Sequence, residues 1–280
     1  MTRSTVLITG GEGAIGSYCD FGTRLGRESL DVTDANAVSE ACAKFQPTCI
    51  VHAAALVDLE YCEKHPEEAY RVNAAGAYHV ARAARVIGAK MIYLSTSDIF
   101  DGTAVTPYVP EDTPNPMTTY GRSKHLGELA VKGLLDDYVI LRLSWVFGGG
   151  PELDKKFVGK LFAKRIAPEV RVATDRKGSP SWGKDVAAAI QKLIMEDGRG
   201  VYHVGGGVAT RYEMAQEMAA SVEGWQAKLV PVLQSEFPSS YPVGENQSMP
   251  LSPLVRPWRE SLREYLRTEW AAPRRRSDTI

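Results

Sequence analysis

Short apolar runs rich in β-branched residues alternate with helical spacing over the first two-thirds of the chain. Runs that are apolar throughout suit strands buried on both faces, and their alternation with helices predicts parallel strands joined by crossover helices, an α/β protein. Strands are expected at 5–9, 49–54, 91–95 and 139–144, and helices at 34–45, 66–87 and 120–134. Gly88 follows the second helix, where a left-handed cap is expected. Beyond about Gly148 the pattern breaks into glycine- and proline-punctuated pieces, among them a strand-like 170–173 and a helix near 185–195. Thr210 with Glu213 three residues on reads as a capping box opening a helix to about Val222, and 258–268 as a last amphipathic helix. The expected division is a first domain at 1–148 and a smaller lobe at 149–270, some of whose segments return to the core. A basic disordered tail is expected at 271–280, with Arg274, Arg275 and Arg276.

Composition narrows the partners. With 44% hydrophobic residues in 280, the chain can bury a sizeable core. Lysine plus arginine, 33, nearly equals aspartate plus glutamate, 34, so the basic excess of a nucleic-acid binder is missing and no such partner is expected. Cys19, Cys42, Cys49 and Cys62 form no CxxC pair and read as core fillers of a reducing compartment. No cleavable leader and no apolar run of about 18 residues is found, so a soluble cytoplasmic protein with no membrane partner is expected.

The first apolar run leads directly into Gly10-Gly11-Glu12-Gly13-Ala14-Ile15-Gly16, which fits GxGxxG from Gly11 and GxxGxxG from Gly10. In either register glycines let the backbone turn tightly and approach a pyrophosphate, whose charge is met by free amides and the positive end of the following helix. The position, between a strand and a helix start, is the context a Rossmann-type dinucleotide site requires. The doubly wound parallel sheet of that fold is therefore expected, with NAD or NADP as cofactor. The stretch after Gly16 is abbreviated. Only residues 17–29 separate it from Leu30-Asp31-Val32-Thr33-Asp34, too few for a full helix and a full second strand. Arg24 or Arg27 then become possible phosphate partners, and Asp31, beside Val32, a candidate for the adenine amino group.

Of twelve tyrosines only Tyr120 is followed four residues later by lysine, Lys124. On a helix both side chains share a face. A phenol titrates near 10 in water, so proton exchange with a carbonyl oxygen at neutral pH needs a nearby cation. A third polar group comes from Ser95-Thr96-Ser97-Asp98, which ends a strand where open α/β sheets place ligands. Thr96 is placed to hydrogen-bond a substrate oxygen.

With the glycine loop, the Ser/Thr after the fourth strand and YxxxK in place, the sequence resembles the extended short-chain dehydrogenase/reductase superfamily. It is most similar to the dTDP-4-dehydrorhamnose reductase family of sugar-nucleotide reductases. The likeness runs in order through the glycine loop, residues 30–34, His52-Ala53-Ala54-Ala55, Val72-Asn73-Ala74, residues 95–102 and residues 120–128. It continues through Arg142-Leu143-Ser144-Trp145-Val146 and Asp175-Arg176-Lys177-Gly178-Ser179-Pro180-Ser181. The resemblance implies an NAD(P)H-dependent 4-ketoreductase of a nucleotide-activated deoxysugar, with NADPH slightly favoured and a homodimer usual. Thr96, Tyr120 and Lys124 match the catalytic triad, and Ala53, Ala54 and Ala55 the segment beside the cofactor ribose and phosphates. Asn73 matches an asparagine at the cofactor side that supports the active site. Ser97, Asp98 and Trp145 match positions around the sugar; Lys156, Phe157 and Arg176 match segments that hold the nucleotide diphosphate.

Two departures stand out. The family motif Ser-Thr-Asp-Tyr-Val-Phe has Ser97 and Asp98 in its third and fourth places, and the C-terminal Arg-Pro-x-x-Ser-x-Leu signature is replaced by Glu245-Asn246-Gln247-Ser248-Met249-Pro250-Leu251. A sugar-nucleotide epimerase and a non-catalytic NAD(P)-binding regulatory subunit are the alternative readings on the same scaffold. Other chemistries lack their residues: there is no GxSxG and no HExxH, and the histidines have no ligand spacing, so no metal is expected. His52 reads as a core strand residue, and Glu60, Glu63, Glu67 and Glu68 as a solvated helix face.

Overall fold

The computed structural model describes residues 5–270; the expected tail at 271–280 lies outside them. The first half comprises β1 (Val6–Thr9), β2 (Thr23–Leu25), α1 (Ala35–Phe45), β3 (Cys49–His52), α2 (Leu59–Lys64), α3 (Pro66–Tyr70), α4 (Gly76–Ile87), β4 (Lys90–Thr96), α5 (Thr119–Leu134) and β5 (Tyr138–Leu143). The second half adds β6 (Val146–Phe147), α6 (Gly150–Leu153), α7 (Phe157–Ala163), β7 (Glu169–Ala173), β8 (Lys177–Gly178), β9 (Ser181–Trp182), α8 (Gly183–Met195), β10 (Gly200–Val204), β11 (Ala209–Thr210), α9 (Arg211–Ser221), β12 (Lys228–Val232) and α10 (Trp258–Tyr265).

Six parallel strands form the central sheet in the order β10-β5-β4-β3-β1-β2. Alternate side chains leave opposite faces, as the period of a strand requires. Leu7, Ile50, Met91, Tyr93 and Ile140 pack under Val38, Val80, Ala84 and Val131 of α1, α4 and α5. Ile8, Val51, Ile92, Leu94, Val139 and Leu141 pack under Val186, Ile190 and Leu193 of α8. The result is the doubly wound layering expected from uniformly apolar strands. A third cluster, with Phe147, Leu161, Val172, Trp182, Met214, Met218, Leu262 and Tyr265, holds the C-terminal elements around the parallel pair β7–β12.

Caps explain several boundaries. Asp34 accepts from the amides of Asn36 and Ala37 and starts α1; Gly88 ends α4 with φ 68°. The capping box of Thr210 and Glu213 is formed, and both side chains accept as its reciprocal geometry demands. The helix expected over 66–87 is broken: α3 passes through a π-type turn, Arg71–Ala75, before α4. The inserted residue turns Asn73 inward, where it is wholly buried. The strand expected to reach residue 54 ends at His52, because Ala53 and Ala54 bend towards Thr9 and leave the ladder with β4.

The chain runs from β1 outward to β2 on one side and returns through β3 on the other. The strand order reverses there, and ligands of open α/β sheets bind outside the carboxyl ends of strands at such a point. Gly10 and Ala53 are the first residues beyond β1 and β3.

Candidate active site

At the switch point the glycine loop is packed too closely for side chains at most of its glycines. Gly10 has φ +66°, and a Cβ there would lie 2.6 Å from the Ala54 nitrogen. A Cβ at Gly16 would lie 2.2 Å from the Gly10 carbonyl, whereas at Gly13 the nearest atom would be 3.3 Å away. A Cβ at Gly11 would lie 2.5 Å from the Arg24 Cβ, so Gly10 and Gly11 are both required and the loop satisfies the two registers at once; only Gly10 of the pair has a positive φ. Among the described residues the amides of Ala14 and Ile15 have no hydrogen-bond acceptor, leaving donors where a pyrophosphate would fit. The helix after the loop is as abbreviated as the short stretch 17–29 implies: Gly16–Tyr18 form a single 3-10 turn, because the same residues must also build β2. Free amides, rather than a helix dipole, are what the loop offers an anion, and Arg24 Nη1 donates to the Ser17 carbonyl at its end. The loop, the small residues Ala53, Ala54 and Ala55, and the exposed Asp31 together fit a dinucleotide. Asp31 is held as a carboxylate below its ordinary range by the Thr33 amide. Val32 is corrected: its side chain is buried in the core against Gly76, so it presents only backbone to a ligand.

Thr96 ends β4, and Tyr120 and Lys124 lie one helical turn apart on α5, all three buried. The Thr118 side chain caps α5, and Glu63 accepts from both the amide (2.7 Å) and hydroxyl (2.9 Å) of Thr119. Glu63 is thus a brace for the helix that carries the tyrosine, not part of a solvated face, while Glu60 does pair outward with Lys64. Burial and the charge of Asp98 push the Tyr120 phenol well above its ordinary value, against an opposing pull from the Thr96 hydroxyl. Lys124 lies with its ammonium 4.1 Å from the centre of the Tyr93 ring, and burial lowers it to about 7, against an opposing pull from Glu128.

Asn73 is also corrected. Its oxygen accepts from the Leu56 amide (2.8 Å), and its nitrogen donates to the Leu56 carbonyl (2.9 Å) and to Ser123 Oγ (3.0 Å). With these bonds made and no exposed surface, it ties the loop after β3 to α5 and touches no cofactor. His52 is the core residue expected, bonded to Thr9 Oγ1 at 2.7 Å and stacked on Tyr93.

Beyond the triad the polar groups converge from distant segments. Asp98 Oδ2 accepts from Thr96 Oγ1 (2.9 Å) and Oδ1 from Gln247 Nε2 (2.6 Å), and Gln247 Oε1 accepts from Arg176 Nη2 (3.1 Å). Trp145, at φ 46°, lays its indole over Gly178, where a Cβ would come within 2.2 Å of the ring. The Arg211 guanidinium stacks on that indole at 3.5 Å and on Phe157 at 4.6 Å, with Arg176 5.9 Å from the same indole. Burial and the charge of Arg176 both push Arg211 well below its ordinary value. Lys156, exposed at the start of α7, completes the basic group. Among the described residues neither Arg176 nor Arg211 is in an ion pair, and the nitrogen Nε of Arg176, Nε1 of Trp145 and the Ser97 hydroxyl are buried without partners. Unsatisfied donors around two uncompensated arginines describe a site for an anion stacked beside an aromatic ring.

Sequence reasoning overlooked Arg211 and Gln247. Arg211 carried a signal: it directly follows the N-cap Thr210, where the positive end of a helix disfavours a cation. Among the described residues no helix is long and apolar enough to cross a membrane, and no group of acidic, His and Cys side chains could hold a metal.

The RmlD substrate binding domain family matches residues 4–269, both halves together. The chain belongs to this family. A spore coat polysaccharide biosynthesis protein, SpsK, of Bacillus subtilis is 32% identical over 95% of this chain and 98% of its own length. A dTDP-4-dehydrorhamnose reductase of Mycobacterium tuberculosis is 32% identical over 92% of this chain and 90% of its own. Among solved structures, dTDP-4-dehydrorhamnose reductase of Bacillus anthracis in complex with NADP superposes with a TM-score of 0.88 at 28% identity, covering 95% of this chain and 99% of that one. These relatives make the chain a sugar-nucleotide reductase of the short-chain dehydrogenase/reductase type.

Proposed function

We propose that the chain is an NAD(P)H-dependent reductase of the 4-keto group of a nucleotide-activated deoxysugar, of the dTDP-4-dehydrorhamnose kind. The observation that carries this reading is the burial together of Thr96, Tyr120 and Lys124, the tyrosine and lysine one turn apart on α5, with the Arg211 guanidinium stacked on Trp145. The reduced nicotinamide, when bound, supplies the hydride.

The protein's own groups do the rest. Tyr120 gives its proton to the oxygen of the carbonyl as that oxygen becomes an alkoxide. Thr96 holds the same oxygen in line, and the Lys124 cation offsets the phenolate charge left on Tyr120. Positioning supplies much of the rate. Trp145 packs on the sugar, while Arg211, Arg176 and Lys156 meet the diphosphate, for which planar, stacked guanidinium groups are suited. Gly10, Gly13, Ala14, Ile15 and Gly16 cradle the cofactor pyrophosphate, and Arg24 within β2 and Arg27 just beyond it favour NADPH.

The exposed Tyr78, Leu126 and Leu129 on α4 and α5 support pairing of two copies, and the protein works as a cytoplasmic homodimer. Tyr120→Phe is the direct test. Turnover of dTDP-4-keto-6-deoxy sugar should fall by about 100-fold or more with NADPH binding kept; full turnover in the variant refutes the assignment.

A further inference from the structure

The two stretches in which this chain departs from its family's motif meet each other across the cleft. Asp98 occupies the fourth place of the Ser-Thr-Asp-Tyr pattern, and Gln247 lies in the segment that replaces the C-terminal Arg-Pro signature. They are joined by a 2.6 Å hydrogen bond over a separation of 149 residues. Gln247 is buried, and its backbone is pinned on both sides: its amide donates to the Lys177 carbonyl and its carbonyl accepts from Ser144 Oγ.

A primary amide between a guanidinium and a carboxylate has one satisfactory orientation. The guanidinium only donates and the ionised carboxylate only accepts, so the amide oxygen must face Arg176 and its nitrogen Asp98. Both contacts are made in that sense, at 3.1 and 2.6 Å. The neutral amide therefore stands where the acid and the base would otherwise pair directly. Asp98 keeps its second oxygen for the Thr96 hydroxyl, which also accepts from the Asp98 amide (3.1 Å), so the threonine side chain is fixed from both sides. Arg176 keeps an uncompensated charge and an unpartnered Nε.

We infer that Gln247 is a positioning residue with two outputs: it reserves the Arg176 charge for the diphosphate of the substrate, and it holds Asp98 so that Thr96 is oriented on Tyr120. This rests on the sugar-nucleotide reading above. A continuous hydrogen-bonded path runs from Arg176 through Gln247 and Asp98 to Thr96, the threonine whose hydroxyl acts on the Tyr120 phenol.

The test uses dTDP binding by calorimetry, which needs no turnover, together with steady-state reduction. Gln247→Glu places a carboxylate on Arg176, and dTDP affinity should fall about tenfold, the scale of one lost charge-assisted contact. The reciprocal pair, Asp98→Asn with Gln247→Glu, rebuilds the hydrogen-bond pattern without changing net charge. It should regain the thermal stability of the parent and yet bind dTDP as weakly as Gln247→Glu. Gln247→Met, isosteric and uncharged, should keep dTDP affinity within about threefold while lowering kcat, since Asp98 loses its tether. Gln247→Glu binding dTDP like the parent overturns the inference, as does the reciprocal pair regaining full affinity. A parent protein that binds no dTDP overturns the substrate reading instead.

Discussion

Lys124 should weaken the protein that depends on it. Its side chain is only 2% exposed, and burial lowers it from 10.5 to about 7, so the folded state holds the charged amine less readily than the unfolded chain does. Each pH unit between the two values is worth about 1.36 kcal/mol, which sets the cost of the buried charge at about 5 kcal/mol below pH 7 as an upper bound. The sign follows from proton counting. Between pH 7 and 10.5 the unfolded chain binds more protons at this lysine than the folded one, so folding gains stability as pH rises through that window and loses it as pH falls towards 7. Lys124→Met fills the same volume, keeps a favourable sulfur contact with the Tyr93 ring and removes the titration. The variant should therefore be the more stable protein at pH 6.5, with an advantage that shrinks by about 2 to 3 kcal/mol by pH 9. Urea unfolding at pH 6.5, 7.5 and 9, without cofactor, measures it; titrations common to both proteins cancel in the difference. An advantage that does not change with pH, or a Met variant less stable than the parent at pH 6.5, refutes the reasoning. The variant should also lack reductase activity, which would place Lys124 among residues kept at a cost in stability for their chemistry.

Two further outcomes are expected. Arg211→Lys keeps the charge but loses the planar stack on Trp145 and Phe157, so KM for the nucleotide sugar should rise about tenfold with kcat little changed in steady-state assays. Glu128→Gln leaves Arg142, 2% exposed, without the carboxylate it contacts at 3.0 and 3.1 Å, and should cost about 3 kcal/mol in urea unfolding while leaving the cleft intact.

What could be read from the chain was encoded within a few residues. Glycines at spacing three, a tyrosine and lysine at spacing four, a threonine capping through Glu213 and apolar runs of strand length each state their structure locally, because the forces involved act over one turn or one strand. The cleft obeys no such range. Arg211 stacks on Trp145, and Gln247 bridges Arg176 and Asp98, through contacts set by the packing of whole layers. Asn73 was legible as a support for the site, but its direction depended on a π-type turn that no spacing announces.

The shortened stretch after Gly16 carries the same lesson further. Its brevity was visible; what replaces the missing helix was not. The Tyr18 hydroxyl donates to Glu269 at 2.8 Å and accepts from the Gly149 amide (2.6 Å) and the Trp182 indole (3.2 Å), gathering three remote segments onto the end of the glycine loop. Gly183, opening α8, packs so closely on the loop that a Cβ would come within 2.1 Å of the Ala14 carbonyl. Helix α8 also covers the sheet face, where its Val186 and Ile190 pack with Ile8 and Val51. The C-terminal elements thus pack where a helix following the loop would have packed, and the end of the glycine loop is held by residues more than 130 positions away from it.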